Sequence, residues 1–444
     1  MAGPAIRCWE MARILSERDH AVRLAVATPC DREPKGFEVA VVNGAQMGRA
    51  ETWADVLVVQ GSGLIRYPAL STTRKHLVVD LYDPFTLETL EMHSGRPIDL
   101  QVAHYRPSLA TLLLQLRAGD FFLCATERQR DFWIGCLLAA DRLNPHTIGQ
   151  DRLARRLIDL VPFGTSSEPP RRSGVPAAKG VLPGIAGDAK LAVWAGGVYN
   201  WFDPLSLVNA WPRVMDEIPE ARLLFLGMRH PNPDVPEMEM AARALELADE
   251  LKVRDRGVVF NRGWTPYERR QDFLLEADLG VSTHFRSLEA RLSFRTRFLD
   301  YIWAGLPSVA TEGDSFAEWV TLHGTGAVVP YGDPGAIARA VTRLLGDDGE
   351  RQRCAERVRE QRPLFTWERA LEPLVRYCES PWRAADIAGG RHPARGFGPL
   401  AEDVLPPSGL LKRALWYRRR EGTAAFVRRA IRVATLTVRQ RLRR

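Results

Sequence analysis

Short apolar runs rich in β-branched and aromatic residues alternate with amphipathic stretches of helical length through most of the chain. Apolar runs bounded by turn residues and separated by helical patterns predict parallel strands joined by crossover helices. In the first half the pattern predicts strands at residues 22–27, 37–42, 56–59, 77–80, 121–124 and 158–161. A Pro/Gly/Ser-rich, weakly patterned stretch follows and reads as a linker. Beyond it the alternation restarts, with strands expected at 191–194, 221–226, 258–260, 279–282, 308–310 and 327–329. The fold class is therefore α/β, with two Rossmann-like domains facing across a cleft. The boundaries fall at residues 1–168, 169–187 for the linker, 188–362, a returning segment 363–408 and a tail 409–444.

Helix starts in the second half are easily read. Asp203-Pro204 and Asp333-Pro334 set an N-cap acid before a proline at the first helical position, and the segments beginning at Thr265 and Ser315 have the spacing of capping boxes. Each start follows a strand, so several helix amino ends should open on one crevice and favour anions there. The first domain differs: residues 1–10 read as a glycine turn entering a helix, with no strand before it. The first strand of a doubly wound sheet is central. Its natural start is therefore expected upstream of Met1.

Charge alters the picture only once it is located. The chain carries +7, but residues 409–444 hold twelve Lys/Arg against one acid, Glu421; that tail of +11 leaves the body at −4. The body offers no argument for nucleic acid. On a helical wheel the tail places Arg428, Arg432 and Arg439 on one stripe, opposite Phe426, Ala430 and Val433. A basic amphipathic helix of this kind suits an anionic membrane surface. Six scattered cysteines without a CxxC pair, and no Cys/His cluster of zinc spacing, predict a reducing cytoplasm and no bound metal. No apolar run reaches the roughly 20 residues needed to span a bilayer.

The chemistry concentrates in residues 281–314, read as strand, charged loop, helix, strand and acidic turn. Open α/β sheets bind ligands at such strand ends. Asp300, in the helix that ends at Ala304-Gly305, resembles the acidic residue before Ala-x-Gly-x-Pro in retaining GT-B glycosyltransferases similar to family 4. The turn at Gly3 and the segment from Phe365 to Pro381 resemble that family as well. The resemblance implies a sugar transferred, with retention, from a nucleotide diphosphate-sugar co-substrate to a hydroxyl, with no other cofactor. It also implies that Asp300 holds the ribose, and that Glu289 is a shifted counterpart of the acid near the sugar, since Leu292 occupies the family's usual position.

Family members often carry cations after the first strand of this domain, where the chain has Gly196 and Gly197. A diphosphate leaving group needs positive charge. Arg295 is the first candidate, followed by Arg297 and Arg262. Gly196 and Gly197 would let backbone approach the phosphates. Thr311 and Glu312 complete the donor-side set. On the acceptor side stand Gly3, Asp80, Asp83 and His104, with Glu88 nearby; a positioned carboxylate such as Asp83 suits proton removal. With the tail, these features suggest a glycan or lipid-linked acceptor at the inner face of the cell membrane. The alternatives are a GT-B sugar-nucleotide epimerase, or a degenerate domain tethered to the membrane.

Overall fold

The computed structural model describes residues 3–30, 32–228, 238–261, 263 and 265–388, so the basic tail lies outside the described residues. All twelve expected strands form close to their expected places: β1 Arg23–Val26, β2 Glu38–Val41, β3 Val56–Gln60, β4 His76–Asp80, β5 Phe121–Cys124, β6 Ile158–Leu160, β7 Lys190–Gly197, β8 Ala221–Gly227, β9 Val258–Phe260, β10 Leu279–Ser282, β11 Ser308–Thr311 and β12 Gly326–Val329. They pair in parallel throughout.

The second domain is one six-stranded sheet in the order β12-β11-β10-β7-β8-β9. Central strands of such a sheet are covered on both faces, which is why residues 191–194 of β7 are uniformly apolar and fully buried. The order reverses between β7 and β10, and a doubly wound sheet opens its ligand crevice at that point. The helix Arg297–Ala304 is fixed beneath the crevice by Tyr301, whose hydroxyl lies 3.0 and 2.8 Å from the carbonyls of Val193 and Val281 and accepts the Ala195 N–H at 3.1 Å. Gly280 makes room for that ring: a Cβ there would lie 2.6 Å from it.

Asp203 and Asp333 cap their helices as predicted, accepting from the N–H groups of Ser206 and Ala336. Two expected caps are corrected. Asp314, not Ser315, caps the helix Ser315–His323, and Thr265 instead bonds Asn261 ahead of a 3-10 turn. Both residue types cap well, so the register was ambiguous by one position.

In the first domain β3-β4-β5-β6 form one sheet and β1-β2 a separate ribbon. The helix Gly3–Glu17 packs Trp9 against Phe37 of the ribbon side at 5.0 Å and is tied to β4 by Arg7, which donates to Asp80 at 2.6 and 2.9 Å. Residues 169–187, expected as a linker, carry no helix or strand and are pinned to the helix Arg270–Glu276. Glu276 accepts three consecutive N–H groups, from Ala177, Ala178 and Lys179. The stretch after residue 363 returns to the first domain: Trp367 packs on Phe163 at 4.6 Å, and Tyr377 stacks on Phe121 at 4.8 Å. No helix among the described residues is long and apolar enough to cross a membrane.

Candidate active site in the interdomain cleft

A cleft of about 370 Å³ opens at the carboxyl ends of β7 and β8, opposite the ends of β4 and β6. Its second-domain wall contains Gly196, Gly197, Tyr199, Arg270, Arg295, Arg297 and Asp300; its first-domain wall contains Gly3, Tyr82, Asp83 and Glu88.

Arg297 is the cation best placed for an anion. It is only 7% exposed, and its guanidinium lies 4.0 Å from the Trp194 ring and 4.2 Å from Phe202. One terminal nitrogen donates to the Gly197 carbonyl at 2.9 Å, while the other, Nη1, has no partner. Burial pushes its pKa down to about 10, and Arg295 adds to the push. An unpaired buried donor is costly, and this one lines a cleft beside a turn whose Gly196 has φ +118°.

Arg295 and Glu289 need correction. Arg295 lines the cleft, but it donates to both oxygens of Glu289 at 3.0 and 2.7 Å, and Ser293 also donates to that carboxylate. Glu289 is fully buried and outside the cleft lining, so its role here is to neutralise Arg295. Asp300 lines the cleft and accepts from Arg270 at 2.9 Å. Arg270 stacks 3.6 Å over Tyr267 and 4.5 Å from Trp303, a position no local spacing reveals.

Four other candidates stand elsewhere. Asp80 is buried behind the wall, saturated by Arg7 and Gln60. His104 is exposed on the helix Ile98–Ala118 and stacks on His93 at 4.0 Å, outside the lining. Thr311 accepts from the His284 N–H, and the exposed Glu312 presents its carbonyl to the His284 ring; neither lines the cleft. Arg262 lies outside the described residues.

On the first-domain wall Asp83 and Glu88 hydrogen-bond to one another. Burial, then the neighbouring carboxylates, raises both: Asp83 to about 6 and Glu88 further. Glu88 thus holds its proton more tightly than a free carboxyl group does, and it lies within hydrogen-bonding reach of Asp83. Tyr199 faces the pair, and Trp201 stacks behind it at 4.9 Å. The aromatic-rich run after Gly197 was the available signal for this wall.

Across the entrance, Arg128 of the first domain donates to the carbonyls of Arg291 and Gly313 at 3.1 and 2.9 Å, and Gln129 donates to that of Leu292 at 2.8 Å. The two domains are thus held together at the side of the cleft. Among the described residues no group of three or more His, Cys, Asp or Glu is placed to hold a metal ion.

A doubly wound six-stranded lobe facing a smaller parallel α/β lobe across an arginine-walled crevice has the GT-B architecture. The comparisons agree: residues 189–347 match the family model described as Glycosyl transferases group 1, so the second domain is of that type. A D-inositol 3-phosphate glycosyltransferase of Xylanimonas cellulosilytica is 31% identical over 196 residues, 43% of this chain and 42% of that one. Another, of Corynebacterium urealyticum, is 28% identical over 214 residues, 48% of each. The chain spans less than half the length of these curated relatives.

The fold is shared with sucrose-phosphate synthase of Thermosynechococcus elongatus, at TM-score 0.59 and 15% identity, covering 85% of this chain and 93% of that one. It is also shared with HepE of Anabaena solved with UDP-glucose, at TM-score 0.59 and 14% identity, covering 86% and 97%.

Proposed function

We propose that the chain is a glycosyltransferase that takes a sugar from a nucleotide diphosphate donor and passes it to a hydroxyl acceptor with retention. The observation carrying this reading is the bare Nη1 of buried Arg297 in the cleft, beside the Gly196-Gly197 turn. Arg297 and the backbone there hold the diphosphate, and Asp300 takes the ribose hydroxyls. In the transfer, the acceptor oxygen forms its bond to the anomeric carbon while the bond from that carbon to the phosphate oxygen breaks. The bonding pair leaves with the phosphate, and the hydroxyl proton goes to that oxygen. Positive charge fixed in advance stabilises the departing diphosphate.

HepE was solved with UDP-glucose, so uridine is the first base to test. Inositol 3-phosphate, named in both relatives, belongs among the acceptors tried. The basic tail supports a lipid-carried acceptor at a membrane surface. Thermal unfolding of the full chain tests the core of the reading. UDP should raise Tm and uridine should not; equal response to both removes the diphosphate site.

A second reading, a binding protein without transfer, is favoured by one observation: Glu289 is consumed by Arg295. Radiolabelled donor decides between them. Sugar incorporated into an acceptor supports transfer, donor bound and recovered unchanged supports the binding protein, and isomerised donor overturns both in favour of an epimerase.

A further inference from the structure

The two walls of the cleft carry opposite chemistry. The diphosphate wall has three arginines, and one of them, Arg297, is over nine-tenths buried with an unpartnered nitrogen, which marks the cleft as a ligand site independently of its acids. Among the described residues, the first-domain wall has no cation in its lining. Its charged groups are Asp83 and Glu88, held against each other, and Tyr199 reaches toward them from the facing domain.

The one arginine behind that wall, Arg7, is fully buried. Its nitrogens are committed to Asp80 and to the carbonyls of Val161 and Pro162. It has nothing left for an incoming anion. The terminal nitrogens of Arg295 are committed to Glu289, and its Nε, without a hydrogen-bond partner, lies 3.9 Å from the carboxylate of Asp314.

Resting on the glycosyltransferase reading above, we propose that the acceptor group entering this cleft is an uncharged polyol, its hydroxyls donating to Asp83 and Glu88 and its apolar face resting on Tyr199, and that phosphorylated acceptors are rejected. Carboxylates accept from hydroxyls but repel phosphates. Aromatic faces suit the C–H side of a sugar ring. Rejection by unpaired like charge is a strong source of specificity. Asp83 lines this partly desolvated wall, and a phosphate would meet its carboxylate there.

The test uses the full chain, first shown to bind UDP by thermal shift. Matched acceptors are then compared with UDP-glucose as donor: methyl glucoside against glucose 6-phosphate, and myo-inositol against myo-inositol 1-phosphate. The neutral member should be preferred in kcat/KM by on the order of 100-fold, the scale of suppression by like-charge juxtaposition. If no member is glycosylated, both sets are titrated into the UDP-loaded chain, and tighter binding of the neutral members supports the proposal.

Equal or better use of the phosphates overturns it, as does failure of any neutral member to bind. Failure to bind UDP at all would strike the transferase reading itself. Glu88→Lys supplies a second arm: it should narrow the preference by at least about tenfold, by replacing the repelling group with an attracting one. An unchanged ratio in that variant, folded as judged by Tm, also overturns the proposal.

Discussion

Arg295 clasps Glu289 with both terminal nitrogens, at 3.0 and 2.7 Å, and the two side chains are almost completely buried. Removing one member of such a pair strands the other charge. We expect Glu289→Ala to destabilise the chain by about 3–5 kcal/mol, whereas Glu289→Leu with Arg295→Met recovers most of that loss. Urea unfolding measures both. A mild effect in the single variant would mean that Arg295 finds another anion.

Arg297 answers to a different logic, because its free nitrogen has no protein partner to lose. Arg297→Met keeps an apolar stem over Trp194 and Phe202 while deleting the charge-assisted hydrogen bonds, worth about 1.5–3 kcal/mol. UDP affinity should fall roughly 10- to 100-fold with Tm of the free chain unchanged or higher. Titration calorimetry checks this, and an unaltered Kd removes Arg297 from the site.

Asp300 and Arg270 give a sharper discrimination. Their ion pair is partly open to solvent, 30% and 17% exposed at the side chains, and such pairs contribute little stability. Asp300→Ala removes the ribose ligand and frees Arg270. UDP should then bind at least about tenfold more weakly, as expected for lost hydrogen bonds to a charged group, while pyrophosphate binds as well or better. Asp83→Ala should leave UDP binding intact. Parallel loss of UDP and pyrophosphate in the Asp300 variant would show that the carboxylate does not read the ribose.

The strands were legible because parallel strands buried on both faces are apolar, as in residues 191–194 and 223–226. Their carboxyl ends located Gly196, Arg297 and Asp300 without further information. Arg270 was not legible: it reaches Asp300 thirty positions away, and its seat between Tyr267 and Trp303 depends on two helices meeting. The Glu289–Arg295 pairing was hidden for a related reason. Six residues separate them across the end of the short helix Leu288–Leu292, and only the return of the chain at Ser293 brings them together. Asp80 looked like an acceptor contact at a strand end until Arg7, seventy-three positions away, was found to occupy it.

Carboxyl groups in the cleft and buried beside Arg295 set opposite pH trends for stability and activity. Asp83 and Asp314 are both raised to about 6, chiefly by burial, and Glu88 is raised further. An acid whose folded pKa lies above its unfolded value favours the native state at low pH, because the native state holds the proton longer. That contribution is fully present below about pH 4, the unfolded carboxyl range, and is lost as pH rises through about 6. For the fully buried Asp314 the loss is at most about 3 kcal/mol. Asp314→Asn retains a capping oxygen for the Ala317 N–H and should flatten the decline, and Glu88→Gln should flatten it further.

Activity should move the other way. Asp83 receives an acceptor hydroxyl best when ionised, so kcat/KM should climb as pH passes from 5 to 7 while the unfolding midpoint falls. The titration belongs to the coupled pair, and Glu88 favours the ionised form of Asp83 by donating to it, so Glu88→Leu should shift the rising limb to higher pH by deleting that donor. A rising limb that stays in place in that variant would separate Asp83 and Glu88 from the reaction.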